Sequence, residues 1–271
     1  MSDFSQGTIL GRPVHRLGIT ANHGLDADGV RRAFDLGLNY AFWTATAKAL
    51  TEPLKEAVAR DRERYVVATG PTLGYRAGAI RKSAESALRT LNTDYIDILQ
   101  LFWLGKSSAW TDGTVAELVK LRDEGKVRAI GVSIHDRPRA GQLAADSPLD
   151  MMMVRYNAAH PGAEEDIFPH IKDSKPAIVA YTATAWQRLL KAPKGWTGPV
   201  PTAGQCYRFA LSNPHVNLAL TGPADVKQLE ENVKALEAGP LDAQEMSWMR
   251  EFGAQVHAQG GLVSRFGWGN Q

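Results

Sequence analysis

Three stretches carry side chains with usable chemistry. Lys48 stands in LNYAFWTATAKAL (38–50), just after an apolar strand whose end delivers Trp43 and not a carboxylate. His135 and Asp136 follow a second apolar run, and Arg155, Tyr156, Asn157 and His160 follow a third. A histidine titrates near neutrality and suits proton transfer, whereas a lysine can anchor an acid or form a Schiff base. Each also has a plainer reading: loop lysines are ordinarily solvated, and histidines are ordinarily held by structural hydrogen bonds. Two histidines without a third ligand in register are a weak metal signal, so no metal is expected. Cys206, the single cysteine, lies in AGQCYRFAL. It reads as a buried helix residue, not a nucleophile, and it rules out an intramolecular disulfide.

The positioning elements are short apolar runs alternating with helical patterns. The runs are RLGIT (16–20), NYAFW (39–43), YVVAT (65–69), YIDILQLF (95–102), VRAIGVS (127–133), DMMMVRY (150–156), AIVAY (177–181) and VNLALT (216–221). Runs apolar on both faces belong in a parallel sheet covered by helices. Between them, Ile80, Ala84, Leu88 and Leu91 form one helical stripe, and Val226, Leu229, Val233 and Leu236 another. Thr111 and Asp225 sit where helix N-caps are expected, and Gly125 where a helix should stop. Eight strand–helix units in 271 residues point to a (β/α)8 TIM barrel. DAQEMSWMREFGAQVHA adds a C-terminal helix with no strand after it. An open doubly wound sheet is the runner-up, but no Gly-x-Gly-x-x-Gly follows an early strand. No linker divides residues 1–271, which read as one domain. The stretch KAPKGWTGPVPTAG (191–204) reads as a long functional loop.

The net charge is only +2, which gives no reason to expect nucleic acid or an anionic membrane as partner. The start lacks a signal-peptide pattern and no apolar run reaches spanning length, so a cytoplasmic protein acting on a small molecule is expected. The oligomeric state is left open.

Several segments together resemble the aldo-keto reductase family over nearly the whole chain. SALRTLNTDYIDILQLFW is similar to that family's Leu-x-x-Leu-x-x-Asp-Tyr-Ile-Asp-Leu-x-x-x-His-Trp, LVKLRDEGKVRAIGVS to the segment ending in Gly-Val-Ser-Asn, and TGPADVKQLEENVKAL to the eighth strand and helix. The resemblance implies NADP(H)-dependent carbonyl reduction, with a tyrosine as general acid beside an aspartate, a lysine and a histidine. All four are replaced. FWTATAK aligns with Asp-Thr-Ala-x-x-Tyr, putting Trp43 in the aspartate's place and Lys48 in the tyrosine's, while Gly70 and Phe102 stand for the lysine and the histidine. The lost groups are worth on the order of 3–4 kcal/mol each in the transition state, so ordinary carbonyl reduction should be slow.

On this alignment Lys48 is the candidate catalytic or ligand-anchoring residue, and Trp43, Phe102, Trp103, His135 and Trp186 are the candidate pocket. The resemblance implies cofactor contacts from Ser133, Asn157, Tyr181, Gly222, Gln228 and Asn232, with Tyr181 under the nicotinamide. Ile134 and Met153 replace an asparagine and a glutamine that hold the carboxamide, and Ala224 replaces the cation that meets the 2′-phosphate. NADP(H) binding is therefore expected to be weak. The alternatives are a lyase or isomerase in the same pocket, or a non-catalytic ligand-binding protein. Arg265, Phe266 and Trp268 of the tail are expected to help cover the mouth.

Overall fold

The computed structural model describes residues 3–173 and 175–260; the expected tail contribution of Arg265, Phe266 and Trp268 lies outside them. An antiparallel hairpin, β1 (Gln6–Ile9) and β2 (Arg12–His15), comes first, turning through Leu10 and Gly11, both at positive φ. Eight strands then close a parallel barrel: β3 (Leu17–Ile19), β4 (Tyr40–Phe42), β5 (Val66–Thr69), β6 (Ile96–Leu104), β7 (Val127–Ile134), β8 (Met151–Arg155), β9 (Ala177–Tyr181) and β10 (Val216–Thr221). β10 pairs with β3 to complete the ring. Each falls on one of the eight apolar runs. The hairpin was not expected, because its eight strand residues include Gln6, Arg12 and Pro13 and show no continuous apolar face.

Helices cover the outside: α1 (Ala27–Asp35), α2 (Lys48–Arg60), α3 (Ala77–Leu91), α4 (Asp112–Asp123), α5 (Arg137–Ala145), the short α6 (Ala163–Asp166), α7 (Ala203–Ser212), α8 (Val226–Ala235) and the added α9 (Ala243–Ala258). The expected caps are present. Thr111 caps α4 through the Thr114 amide, Asp225 caps α8 through the Gln228 amide, and Gly125 takes φ +74° just beyond α4. Among the described residues no helix is long and apolar enough to cross a membrane.

Strand alternation sorts the apolar residues into two cores. Tyr40, Val66, Ala68, Ile98, Met151, Met153, Val179 and Leu220 fill the barrel, with Ile9 and Val14 of the hairpin among them. Their strand neighbours Ala41, Val67, Leu99, Met152, Val154, Ile178 and Ala219 face the helices. The hairpin thus plugs the N-terminal end and leaves the C-terminal end as the mouth, where barrel enzymes place their chemistry.

The N-terminal end is also clamped by charge. Asp97, 1% exposed, pairs with Arg12 and with Arg62 (2.7 Å) and accepts the Val67 amide at 2.8 Å. Above it the Arg62 and Arg128 guanidinium carbons lie 3.8 and 3.6 Å from the centre of the Tyr95 ring, while Glu63 holds the Tyr95 hydroxyl and both nitrogens of the Arg128 fork.

Candidate active site

The same alternation identifies what faces the mouth. One step above the barrel core the inward positions are Phe42 on β4, Gly70 after β5, Phe102 on β6, His135 after β7, Arg155 on β8 and Tyr181 on β9. The mouth therefore has two unlike walls. On one, Phe42 and Phe102 meet edge to face with ring centres 5.5 Å apart. On the other, the Tyr181 hydroxyl lies 2.9 Å from His135 Nδ1 and 3.1 Å from Nε2. Arg155 is the register partner of Tyr181 and stands between them on β8.

Electrostatics follow from this grouping. Burial, reinforced by Arg155 and Lys106, pushes His135 down to about 4, so it is a neutral imidazole at physiological pH. Burial drives the Tyr181 phenol well above its ordinary value, an effect that Arg155 partly offsets, so it stays protonated. The mouth thus holds a neutral hydroxyl–imidazole pair beside a guanidinium, a set able to donate a proton to an oxygen.

Trp43 is not part of this wall. It is 4% exposed, belongs to the outer core, and its indole N–H donates to Thr51 Oγ1 of α2 at 3.0 Å. In Tyr40-Ala41-Phe42-Trp43 the even positions face inward, so Phe42 supplies the aromatic partner expected of Trp43. Lys48 is exposed on the first turn of α2. Lys48→Met is accordingly expected to change any turnover or ligand affinity by less than about twofold, checked by steady-state kinetics and titration.

Gly70, which the resemblance sets against the family's lysine, is tightly enclosed. A Cβ at this position would stand 1.8 Å from the Gln100 carbonyl oxygen and 3.2 Å from Phe102 Cε1. The end of β5 lies against β6, with the Gln100 backbone and the Phe102 ring where a side chain at position 70 would start.

The remaining expected residues divide. Trp103 and Trp186 form an exposed rim at 46% and 39%, both at positive φ, with the Arg155 guanidinium 6.0 Å from the centre of the Trp186 ring. Ser133 is buried in an inward position and its hydroxyl accepts the Trp103 amide at 3.4 Å. Asn157 is fully buried and works as a brace: its amide donates to the Thr182 carbonyl at 2.8 Å and its oxygen accepts the Ala159 amide. Asn232 likewise donates to Thr221 Oγ1, which in turn donates to the Tyr207 hydroxyl. Gln228 is exposed and its oxygen accepts the Ala224 amide at 3.1 Å. At Gly222 a Cβ would meet His23 at 2.5 Å, so the loop after β3 lies against the β10–α8 turn. Cys206 is buried and its thiol is pushed up to about 12 by burial, which suits packing and not attack.

Sequence reasoning missed Phe42 and the joining of His135 to Tyr181. Alternation could have found the first; the second links strands 46 residues apart and has no local signal. Among the described residues no group of three metal-ligating side chains stands together. Cavities of about 360 Å³ beside Trp196 and about 320 Å³ between α1 and α2 lie away from the mouth.

Comparison with known proteins accords with this architecture. The model of the Aldo/keto reductase family matches residues 21–195. L-galactose dehydrogenase of Arabidopsis thaliana is 27% identical over 258 residues, covering 80% of this chain and 81% of that protein. The holo form of an aldo-keto reductase from Bacillus halodurans superposes with TM-score 0.76 at 23% identity, over 94% of this chain and 97% of that one. An aldo-keto reductase from Klebsiella pneumoniae solved with NADPH gives 0.75 at 22%, over 92% and 95%. At those identities the structural likeness is one of fold, and it is the family model, spanning more than half of the sequence, that assigns this chain to the aldo/keto reductase family.

Proposed function

We propose that the chain is an NAD(P)H-dependent oxidoreductase whose proton donor stands on the β7–β9 side of the mouth and not on the β4–β6 side. One observation supports this above others: the Tyr181 hydroxyl lies 2.9 Å from His135 on an inward-facing wall, opposite an apolar wall of Phe42 and Phe102. Family membership and a relative solved with NADPH support a nicotinamide cofactor.

The residues fit such a cofactor unevenly. Residues 222–225 lead β10 into the N-terminus of α8, where backbone amides favour phosphate, and exposed Gln228 can exchange its bond to Ala224 for one to a ligand. At the nicotinamide end Ser133 is the one polar group of three matched positions, because Ile134 and Met153 are apolar and buried. Ser133, Gly222 and Gln228 would therefore hold the dinucleotide, with the Tyr181 ring beside the nicotinamide. When bound, the cofactor supplies a hydride. The chain supplies the rest. Phe42 and Phe102 keep water from one side of the carbonyl. Tyr181, protonated because buried, donates its proton to the carbonyl oxygen as the alcohol forms. His135, neutral and in hydrogen-bond contact, positions the hydroxyl and returns a proton to it from solvent.

With no cation at Ala224 and little to grip the carboxamide, NADPH should bind with a Kd above about 1 μM (weaker than about −8.2 kcal/mol) and with little preference over NADH. Fluorescence titration of both nucleotides, followed by NADPH oxidation with a panel of small aldehydes and ketones, tests the reading. A chain that binds neither nucleotide and oxidises none is not an oxidoreductase.

A further inference from the structure

We infer that Asn157 is a positioning residue: its buried side-chain amide fixes the turn after β9 and so holds the Tyr181 hydroxyl against His135. This rests on the reading of Tyr181 as proton donor and adds the group that aims it.

β8 and β9 pair in register from Met151 and Ala177 up to Arg155 and Tyr181. Beyond that pair the Asn157 side chain continues the link, because its Nδ2–H donates to the Thr182 carbonyl at 2.8 Å. The same carbonyl accepts the Ala185 amide at 2.8 Å, so the bond sits at the start of the turn. Thr182 stands at φ +55°, a region that β-branched residues rarely adopt, and Ala185, Trp186 and Gln187 follow at positive φ. Such backbone persists only where its surroundings hold it. The Thr182 hydroxyl reaches back to the Tyr181 carbonyl at 2.7 Å, which ties the turn to the residue carrying the phenol.

The orientation of Asn157 is fixed from its other side. Its Oδ1 accepts the Ala159 amide at 3.0 Å, and His160 Nδ1 lies 3.1 Å from the same oxygen. An amide oxygen only accepts, so His160 carries its proton on Nδ1 and the Nδ2 end of Asn157 faces Thr182. Asn157 is fully buried, so it acts on the chemistry through Tyr181 and not by touching nucleotide or substrate. The phenol oxygen lies at the far end of the ring from the backbone. A small turn at Thr182 therefore becomes a larger displacement at His135, and a misplacement of about 1 Å can cost on the order of 10²-fold in rate.

Two variants test this. Asn157→Asp keeps Oδ1 and puts an oxygen in place of the Nδ2 donor; Asn157→Ser removes the donor without adding charge. With an aldehyde that the wild type reduces, kcat is expected to fall about 10²-fold while the NADPH Kd stays within about twofold. In a Tyr181→Phe background the same substitutions should cost less than about threefold, because the group they aim is gone. An equal loss with and without the hydroxyl overturns the inference in favour of a structural role. A matching loss of NADPH affinity overturns it in favour of direct cofactor contact. Nuclear magnetic resonance of tyrosine isotopically labelled at Cζ gives a readout independent of turnover. The Tyr181 signal, assigned through Tyr181→Phe, should move in either Asn157 variant, and in the wild type the Asn157 Nδ2 protons should exchange slowly with water. A Tyr181 signal unmoved in a folded variant overturns the inference. So do fast-exchanging Nδ2 protons in the wild type, a measurement that needs no variant to fold. A wild-type chain that oxidises no NADPH removes the oxidoreductase reading, while those signals still decide whether Asn157 aims Tyr181; turnover with an unmoved Tyr181 signal does the reverse.

Discussion

Replacing Asp97 with alanine is expected to destabilise the fold by about 3–5 kcal/mol, the range for breaking a buried ion pair by removing one partner. The carboxylate is the meeting point of Arg12 from the hairpin, Arg62 from the turn after α2, and the Val67 amide of β5. Both arginine side chains are less than one-fifth exposed, so each would keep its charge in a poorly solvated place. Arg62 would retain bonds to the Tyr65 and Tyr95 carbonyls but lose its charged partner, while Arg12 would keep the Glu63 carbonyl and, at 3.8 Å, the exposed Glu63 carboxylate. In a chain of this size the loss corresponds to a fall in Tm on the order of 10 °C. Urea unfolding followed by far-ultraviolet circular dichroism measures it. A change below about 1 kcal/mol would show that the hairpin and the barrel floor hold without this clamp.

The second large effect is on chemistry. Tyr181→Phe keeps the ring that packs on the barrel core and removes only the hydroxyl that faces His135. If that hydroxyl is the acid, kcat/KM should fall by about 10²–10⁴ with the fold unchanged, as for loss of a positioned proton donor. His135→Gln keeps a hydrogen-bonding side chain beside the hydroxyl but no titrating group, and should fall between wild type and Tyr181→Phe. Turnover in Tyr181→Phe within threefold of wild type would place the acid elsewhere or on the substrate.

The barrel was legible because its eight strands are buried on both faces, and without an early Gly-x-Gly-x-x-Gly such apolar runs favour a closed ring over an open sheet. Caps were legible for a related reason: Thr111 and Asp225 act on amides three residues away. The site was less so. Four family positions could be read as substituted, yet their residues could not be placed. Trp43 and Phe42 are neighbours in sequence and face opposite ways, and that is settled by which half of Tyr40-Ala41-Phe42-Trp43 enters the barrel. Asn157 and Asn232 matched cofactor contacts, but the partners they take, Thr182 and Thr221, are chosen by loop geometry. His135, Arg155 and Tyr181 can each be picked from the sequence, but their meeting joins three strands and has no local signal.

The seam at Gly70 also limits what position 70 can carry. With the Gln100 carbonyl where a Cβ would have to stand, any larger residue at position 70 first has to pry β5 from β6. At that point of the ring the backbone itself, and not a neighbouring side chain that could be trimmed, sets the limit on substitution.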